Sequence, residues 1–107
     1  MRCLKSYPLP LTKSGSIPEG PFHLALPINH RFEKVIVRPA DDPKSKPTVH
    51  LVVMEDNGSS PTVLKLIAYT EDDAIDMNVK SADCIDTFLF GGKVYGLFDA
   101  RKMKIGA

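Results

Sequence analysis

Residues 84–99, CIDTFLFGGKVYGLFD, form two runs of alternating β-forming residues split by Gly91-Gly92. Two glycines between such runs mark a tight hairpin, because glycine supplies the positive φ that the turn needs at no steric cost. With those glycines at the turn, Phe90 pairs with Lys93, Leu89 with Val94, Phe88 with Tyr95 and Ile85 with Phe98. One face of the ribbon then carries Ile85, Leu89, Val94 and Phe98, with small Thr87 and Gly96 between them. The other carries Phe88, Phe90, Tyr95 and Leu97, beside Asp86 and Lys93. An antiparallel hairpin commonly keeps one wet face, yet both faces here are largely apolar. The first face is expected to close the core. The second needs a cover, supplied either by the chain itself or by another chain. Aromatic side chains favour interfaces, so Phe88, Phe90, Tyr95 and Leu97 are the candidate interface, and they predict a homo-oligomer.

Working outward from the hairpin, the same period of two recurs. Arg2–Tyr7 alternates and is ended by Pro8 and Pro10, which suits an edge strand. Residues 11–20, LTKSGSIPEG, read as a loop, and Phe22–Leu26 as a short strand stopped by Pro27. Phe32–Arg38 places Val35 and Val37 with Glu33 on one face, and Lys34, Ile36 and Arg38 on the opposite one. Residues 39–47, PADDPKSKP, are an exposed connection. Thr48–Glu55 sets Val49, Leu51 and Val53 on one face against His50, Val52 and Met54. Asn57-Gly58 is a favoured turn pair and predicts that this strand doubles back into Thr62–Tyr69, with Leu64, Leu66 and Ala68 toward the core. Thr70–Met77 alone has helical character: Thr70 and Asp73 resemble a capping box, and the early acids suit a helix N-terminus. Its length allows one or two turns near residues 70–77. Residues 99–107 form a short basic C-terminal tail.

About seven short strands at this spacing predict an all-β fold, a small antiparallel sandwich or partly open barrel. The chain has 107 residues, which suits a single β domain over 1–107. Hydrophobic residues are 43% and charged residues 25%, ordinary values for a globular chain, while nine prolines and seven glycines favour many short elements. A net charge of +1 implies no bulk attraction to nucleic acid or membrane. The first apolar stretch is interrupted by Lys5, Pro8 and Pro10, so no secretory signal is expected. No run reaches the roughly 18 apolar residues of a membrane helix. Cys3 and Cys84 are therefore expected as free thiols in a reducing cytoplasm.

Candidate chemistry is sparse. His23, His30 and His50 lie on separate segments without metal-ligand spacing, so no metal is assigned. Glu71, Asp72, Asp73, Asp76, Asp83 and Asp86 could attract a hard cation, but they lack the glycine turn of a loop-type calcium site, and a solvated acidic face accounts for them. Lys44, Lys46, Arg101, Lys102 and Lys104 are a candidate basic patch if the long loop and the tail meet. The surrounding acids and the lack of a recognition helix or RNP-type motif argue against nucleic acid as the partner. The glycines are followed by no helix N-terminus that could receive a phosphate. Cys84 has no base near it in sequence to activate a thiolate. No catalytic residue and no cofactor is assigned.

The order of motifs resembles a family of small uncharacterised phage and prophage proteins. The resemblance rests on Tyr7-Pro8-Leu9-Pro10, on Leu26-Pro27 ahead of a valine-rich strand, and on Ile85, Thr87-Phe88, Gly92 and Leu97-Phe98-Asp99. It spans most of residues 2–99. This chain departs from the family in having no tryptophan, in Asp86 where glycine is common, and in Tyr69-Thr70-Glu71 where a Gly-Thr-Gly turn is usual. The resemblance implies a phage-encoded accessory protein of the bacterial cytoplasm or the virion, and it transfers no catalytic residue. The expected function is thus a non-enzymatic, oligomeric binding module engaging a host protein, another phage protein or a small host molecule. The alternative is a minor virion component of decoration or tail-accessory type.

Overall fold

Val49, Leu51 and Val53 are fully buried and alternate with half-buried His50, Val52 and Met54, which places their strand at the centre of a layer. The computed structural model describes residues 1–101 apart from Asn57 and Asn78. Its strands are β1 (Arg2–Pro8), β2 (Phe22–Pro27), β3 (His30–Arg38), β4 (Thr48–Asp56), β5 (Pro61–Thr70), β6 (Cys84–Phe90) and β7 (Lys93–Asp99). They form a three-stranded sheet in the order β1-β4-β3 and a four-stranded sheet in the order β2-β5-β7-β6, with every pairing antiparallel. The inner faces pack as an open sandwich. Val35, Val49, Leu51 and Val53 from one sheet share a core with Leu26, Leu64, Leu66, Phe88, Phe90 and Leu97 from the other. Among the described residues no helix is long and apolar enough to cross a membrane.

The chain turns after β4, where Ser59 N–H donates to Asp56 O at 3.2 Å, but β4 and β5 do not pair as the expected doubling back at Asn57-Gly58 requires. Asn57 itself lies outside the described residues. Both edges of β4 are already taken by β1 and β3, so the chain passes to the other sheet. The connection between β2 and β3 crosses beside it. Ile28 N–H donates to Ser60 O at 2.6 Å, and Asp56 N–H donates to Asn29 O at 2.9 Å. The β2–β5 and β3–β4 ladders thus form one ribbon bent across the sandwich corner, as strands that switch sheets do.

Gly91 and Gly92 have φ of 60° and 78°, the two positive values that a type I′ hairpin requires. The register follows the expected pairs from Phe90–Lys93 to Phe88–Tyr95. It then shifts at a bulge around Ile85, so that Cys84, not Ile85, opposes Phe98. The extra residue turns Ile85 toward the principal core.

The two faces of this hairpin are exchanged relative to expectation. Phe88, Phe90 and Leu97 are buried between the sheets, with Tyr95 half-buried against them. The face expected to close the core turns outward, leaving Leu89 63% exposed. Phe98 on that face joins Ile67, Val79 and Ala100 in a second, smaller cluster beneath the segment that precedes β6. That segment is not the helix expected near residues 70–77. Thr70 N–H donates to Asp73 Oδ2 at 2.8 Å and Asp73 N–H to Thr70 O at 3.1 Å, a single turn that goes no further. So short a run cannot repay helix nucleation, whereas continuing onward buries Val79. The helical residues among those described are one 3-10 turn, Ser81–Asp83.

Asp86 fastens the two sheets along one side. Its Oδ2 accepts the Val35 N–H at 2.7 Å, on the edge of β3 away from β4 and next to the bulge at Glu33. Its Oδ1 accepts the Thr87 N–H at 2.8 Å. Asp86→Ala should cost about 1–3 kcal/mol in urea unfolding, because a part-buried strand amide loses its acceptor. An unchanged unfolding midpoint would show that water replaces the carboxylate without loss.

Candidate cationic sheet face

The outer face of the three-stranded sheet is set by the parity of its strands. From β4 it receives Thr48, His50, Val52, Met54 and Asp56. Directly opposite on β1 lie Pro8 against His50, Ser6 against Val52, Leu4 against Met54, and Arg2 against Asp56. On β3 lie Arg38 against Thr48, Ile36 against His50, Lys34 against Val52 and Arg31 against Met54. Simple alternation would put Arg31 on the same side as Val35. The bulge at Glu33 adds one residue and brings Arg31 onto the outer face with Lys34 and Arg38. The result is an apolar strip of Leu4, Val52, Met54 and Ile36 with Arg2, Arg31, Lys34 and Arg38 around it.

The electrostatics of this face are one-sided. Its two carboxylates are already engaged: Asp56 with the Met1 ammonium at 3.2 Å, and Glu33 with Arg31 at 2.7 Å. Among the described residues Arg2, Lys34 and Arg38 have no carboxylate within ion-pair distance. Arg38 reaches across β4, its Nη2 donating to Ser6 Oγ at 3.4 Å. His50 lies beneath that span, its Nε2 2.9 Å from Thr48 Oγ1 and its buried Nδ1 without a partner. Burial, then the Arg38 charge, pushes the His50 pKa down, so the ring is neutral and the positive potential comes from the arginines and Lys34.

Comparison with family models, curated proteins and solved structures returned no match.

The exposed acids of residues 71–73 belong to the other sheet's side of the sandwich, following β5. Glu71, Asp72 and Asp73 are exposed in the turn at the end of β5, and the segment that follows packs Val79 with Ile67 and Phe98. Glu71 N–H donates to Val94 O at 3.1 Å, and Asp76 N–H lies 3.5 Å from the Tyr69 hydroxyl. Several of these acids are structural acceptors. Asp73 receives the Thr70 amide, Asp83 Oδ2 receives the Lys80 amide at 2.8 Å, and Asp86 serves β3 as described. No three His, Cys, Asp or Glu side chains converge as a metal cluster among the described residues.

The other sequence candidates are dispersed. Phe88, Phe90, Tyr95 and Leu97, expected as an interface, are covered by the chain's own three-stranded sheet, which supplies the cover that face required. The ground for a homo-oligomer through these residues is thereby removed. Lys44 and Lys46 lie in the loop that leaves the Arg38 end of β3, where Lys46 Nζ donates to Ser14 O at 3.0 Å. Arg101 follows β7 at the other end of β3. Its Nε donates to Asp99 Oδ2 at 2.9 Å, and Asp99 shares a 360 Å³ cleft with Arg31 and Phe32. Lys44 and Lys46 are thus separated from Arg101 by most of the length of β3. Lys102 and Lys104 lie outside the described residues. Cys84 is a free thiol whose pKa burial and the Asp86 charge push up, the reverse of activation.

One buried ionisable group was not singled out from sequence. Glu55 follows Val49, Leu51 and Val53 on the inward face of β4 and is 2% exposed. It accepts a hydrogen bond from the Tyr7 hydroxyl and lies 3.2 Å from Lys5 Nζ. A charge continuing an apolar alternation is the signal that marks it. The cationic face was half legible: Lys34, Ile36 and Arg38 share one face by alternation, but only the order β1-β4-β3 adds Arg2 and Leu4.

Proposed function

We propose that the chain is a phage-encoded, non-enzymatic accessory protein that acts in the bacterial cytoplasm by binding a host protein through the outer face of its three-stranded sheet. Charge segregation carries the binding part of this reading. Cations surround an apolar strip on one sheet, while the exposed acids of residues 71–73 follow the end of β5 in the other. An apolar centre within a charged rim is the usual anatomy of a protein interface, and the rim selects a partner of opposite sign. The partner is accordingly an acidic surface with a few apolar side chains. An open sheet face suits such a surface better than a small host molecule, which needs a concavity. The phage setting rests on the resemblance carried by Tyr7–Pro10 and the closing hairpin.

Lys34→Gln/Arg38→Gln tests the face directly. Two exposed charge contacts at about 0.5–1 kcal/mol each predict a five- to thirtyfold weaker capture of the host partner, in pull-down at low salt, than the unsubstituted chain achieves. Equal recovery of the same partner by both proteins would sink this reading.

The second reading, a minor virion component, is favoured by one observation. Exposed cations on one sheet and exposed acids at the end of a strand of the other let copies join in series, as a decoration or tail-accessory protein does. Mass spectrometry of purified virions decides it, and absence of the chain from virions would remove it.

A further inference from the structure

We propose that the cationic sheet face is occupied by the acidic 71–77 segment of a second copy of this chain, so that copies join head to tail. This rests on the reading of that face as the binding surface and names its first occupant. Glu71, Asp72 and Asp73 carry the charge that Arg2, Lys34 and Arg38 lack. The apolar match is equally direct. Ile75 is 48% and Met77 85% exposed, projecting from the same acidic segment. On the sheet face Leu4 is 61% exposed beside half-buried Val52, Met54 and Ile36. An acidic segment with two apolar side chains thus meets an apolar strip with a basic rim.

The geometry sets the type of assembly. The face is the outer surface of one sheet and the segment leaves the end of β5 in the other, so the two layers separate a copy's own segment from its face. The contact is heterologous and leaves a free face at one end and a free segment at the other, giving a chain or a ring instead of a closed pair. Its strength follows from its size. Three strands about 4.8 Å apart and about 30 Å long offer roughly 450 Å². That is near half the roughly 800 Å² per partner of a stable interface, which places this one in the weak, salt-sensitive class.

Sedimentation velocity on the purified chain tests the contact, with Lys34→Gln/Arg38→Gln as the face variant and Glu71→Gln/Asp72→Asn as the segment variant. All four positions are exposed, and thermal unfolding verifies that each variant is folded. The unsubstituted chain should associate beyond a dimer at high micromolar concentration and dissociate as salt rises. Each variant alone should be monomeric, and their equimolar mixture should stop at a one-to-one dimer, since only one good face and one good segment can meet. A monomeric unsubstituted chain at low salt overturns the inference while leaving the host-protein reading to its pull-down. Association lost in the face variant but kept in the segment variant also overturns it, assigning the face to another contact. Should that variant also lose retention of a single-stranded oligonucleotide that the unsubstituted chain binds, the occupant is nucleic acid. If self-association follows the pattern above but host capture survives the face variant, the host-protein reading fails and the head-to-tail contact stands.

Discussion

Phe88→Ala should lower the stability of the fold by about 3–5 kcal/mol, whereas Leu89→Ala, one residue on, should cost less than about 0.5 kcal/mol. The contrast follows from the side of the sheet on which each lies. Phe88 is 7% exposed, stacked on Tyr95 with ring centroids 5.5 Å apart and packed into the main core. Its truncation removes most of an aromatic side chain and leaves a cavity that the sandwich cannot fully close. Leu89 sits opposite Val94 on the outer face, where both are exposed. Urea unfolding of the two variants measures both effects. Similar losses would mean that the outer face is covered as well. A loss of self-association without a loss of stability in Phe88→Ala would restore the aromatic face as an interface.

That exchange of faces shows what alternation can and cannot determine. The hairpin pairs from Phe90–Lys93 to Phe88–Tyr95 and the strand limits are local properties, legible from β-propensity and the Gly-Gly turn, whereas the bulge that carries Ile85 to the other side is not. Which face turns inward is not local. Asp86 and Lys93 made the aromatic face look unfit for a core, yet the fold accommodates both. Lys93 is exposed beside the turn, and Asp86 spends its carboxylate on the Val35 and Thr87 amides. The small residues of the opposite face carried a usable signal. The Phe98 ring lies so close over Gly96 that a Cβ there would come within 2.8 Å of it, which is why a glycine stands in mid-strand. The same limit applies to the cationic face. The parity of β3 was readable up to its bulge, but the neighbours of β4 are set by packing across the whole chain. Asn57-Gly58 misled for a related reason: a turn pair reports that the chain reverses, not that the strands on either side meet.

Tyr7→Phe should destabilise the chain by about 1.5–3 kcal/mol at neutral pH, more than Lys5→Ala, although both side chains contact the same carboxylate. Glu55 is buried at the inward end of β4, so any acceptor capacity left unmet there carries a desolvation cost. Tyr7 supplies a hydroxyl donor from the neighbouring strand at little cost in side-chain freedom. The Lys5 side chain is 51% exposed, and an ion pair that open to solvent is worth under about 1 kcal/mol. The pH dependence separates the two further. Burial, then the hydrogen bond to Glu55 and its charge, raises the Tyr7 pKa from 10.0 to about 12. The folded state therefore holds this proton more tightly than the unfolded chain does. Its contribution is complete below about pH 10 and lost as pH rises through about 12, an effect of about 1–2 kcal/mol for a partly exposed phenol. The stability difference between the unsubstituted chain and Tyr7→Phe should shrink over that window, while the difference from an outward control such as Leu89→Ala stays level. Subtracting the variant removes every pH effect that both proteins share. A difference that is flat with pH, or a Lys5→Ala loss as large as that of Tyr7→Phe, would mean that the ammonium and not the phenol holds Glu55 in place.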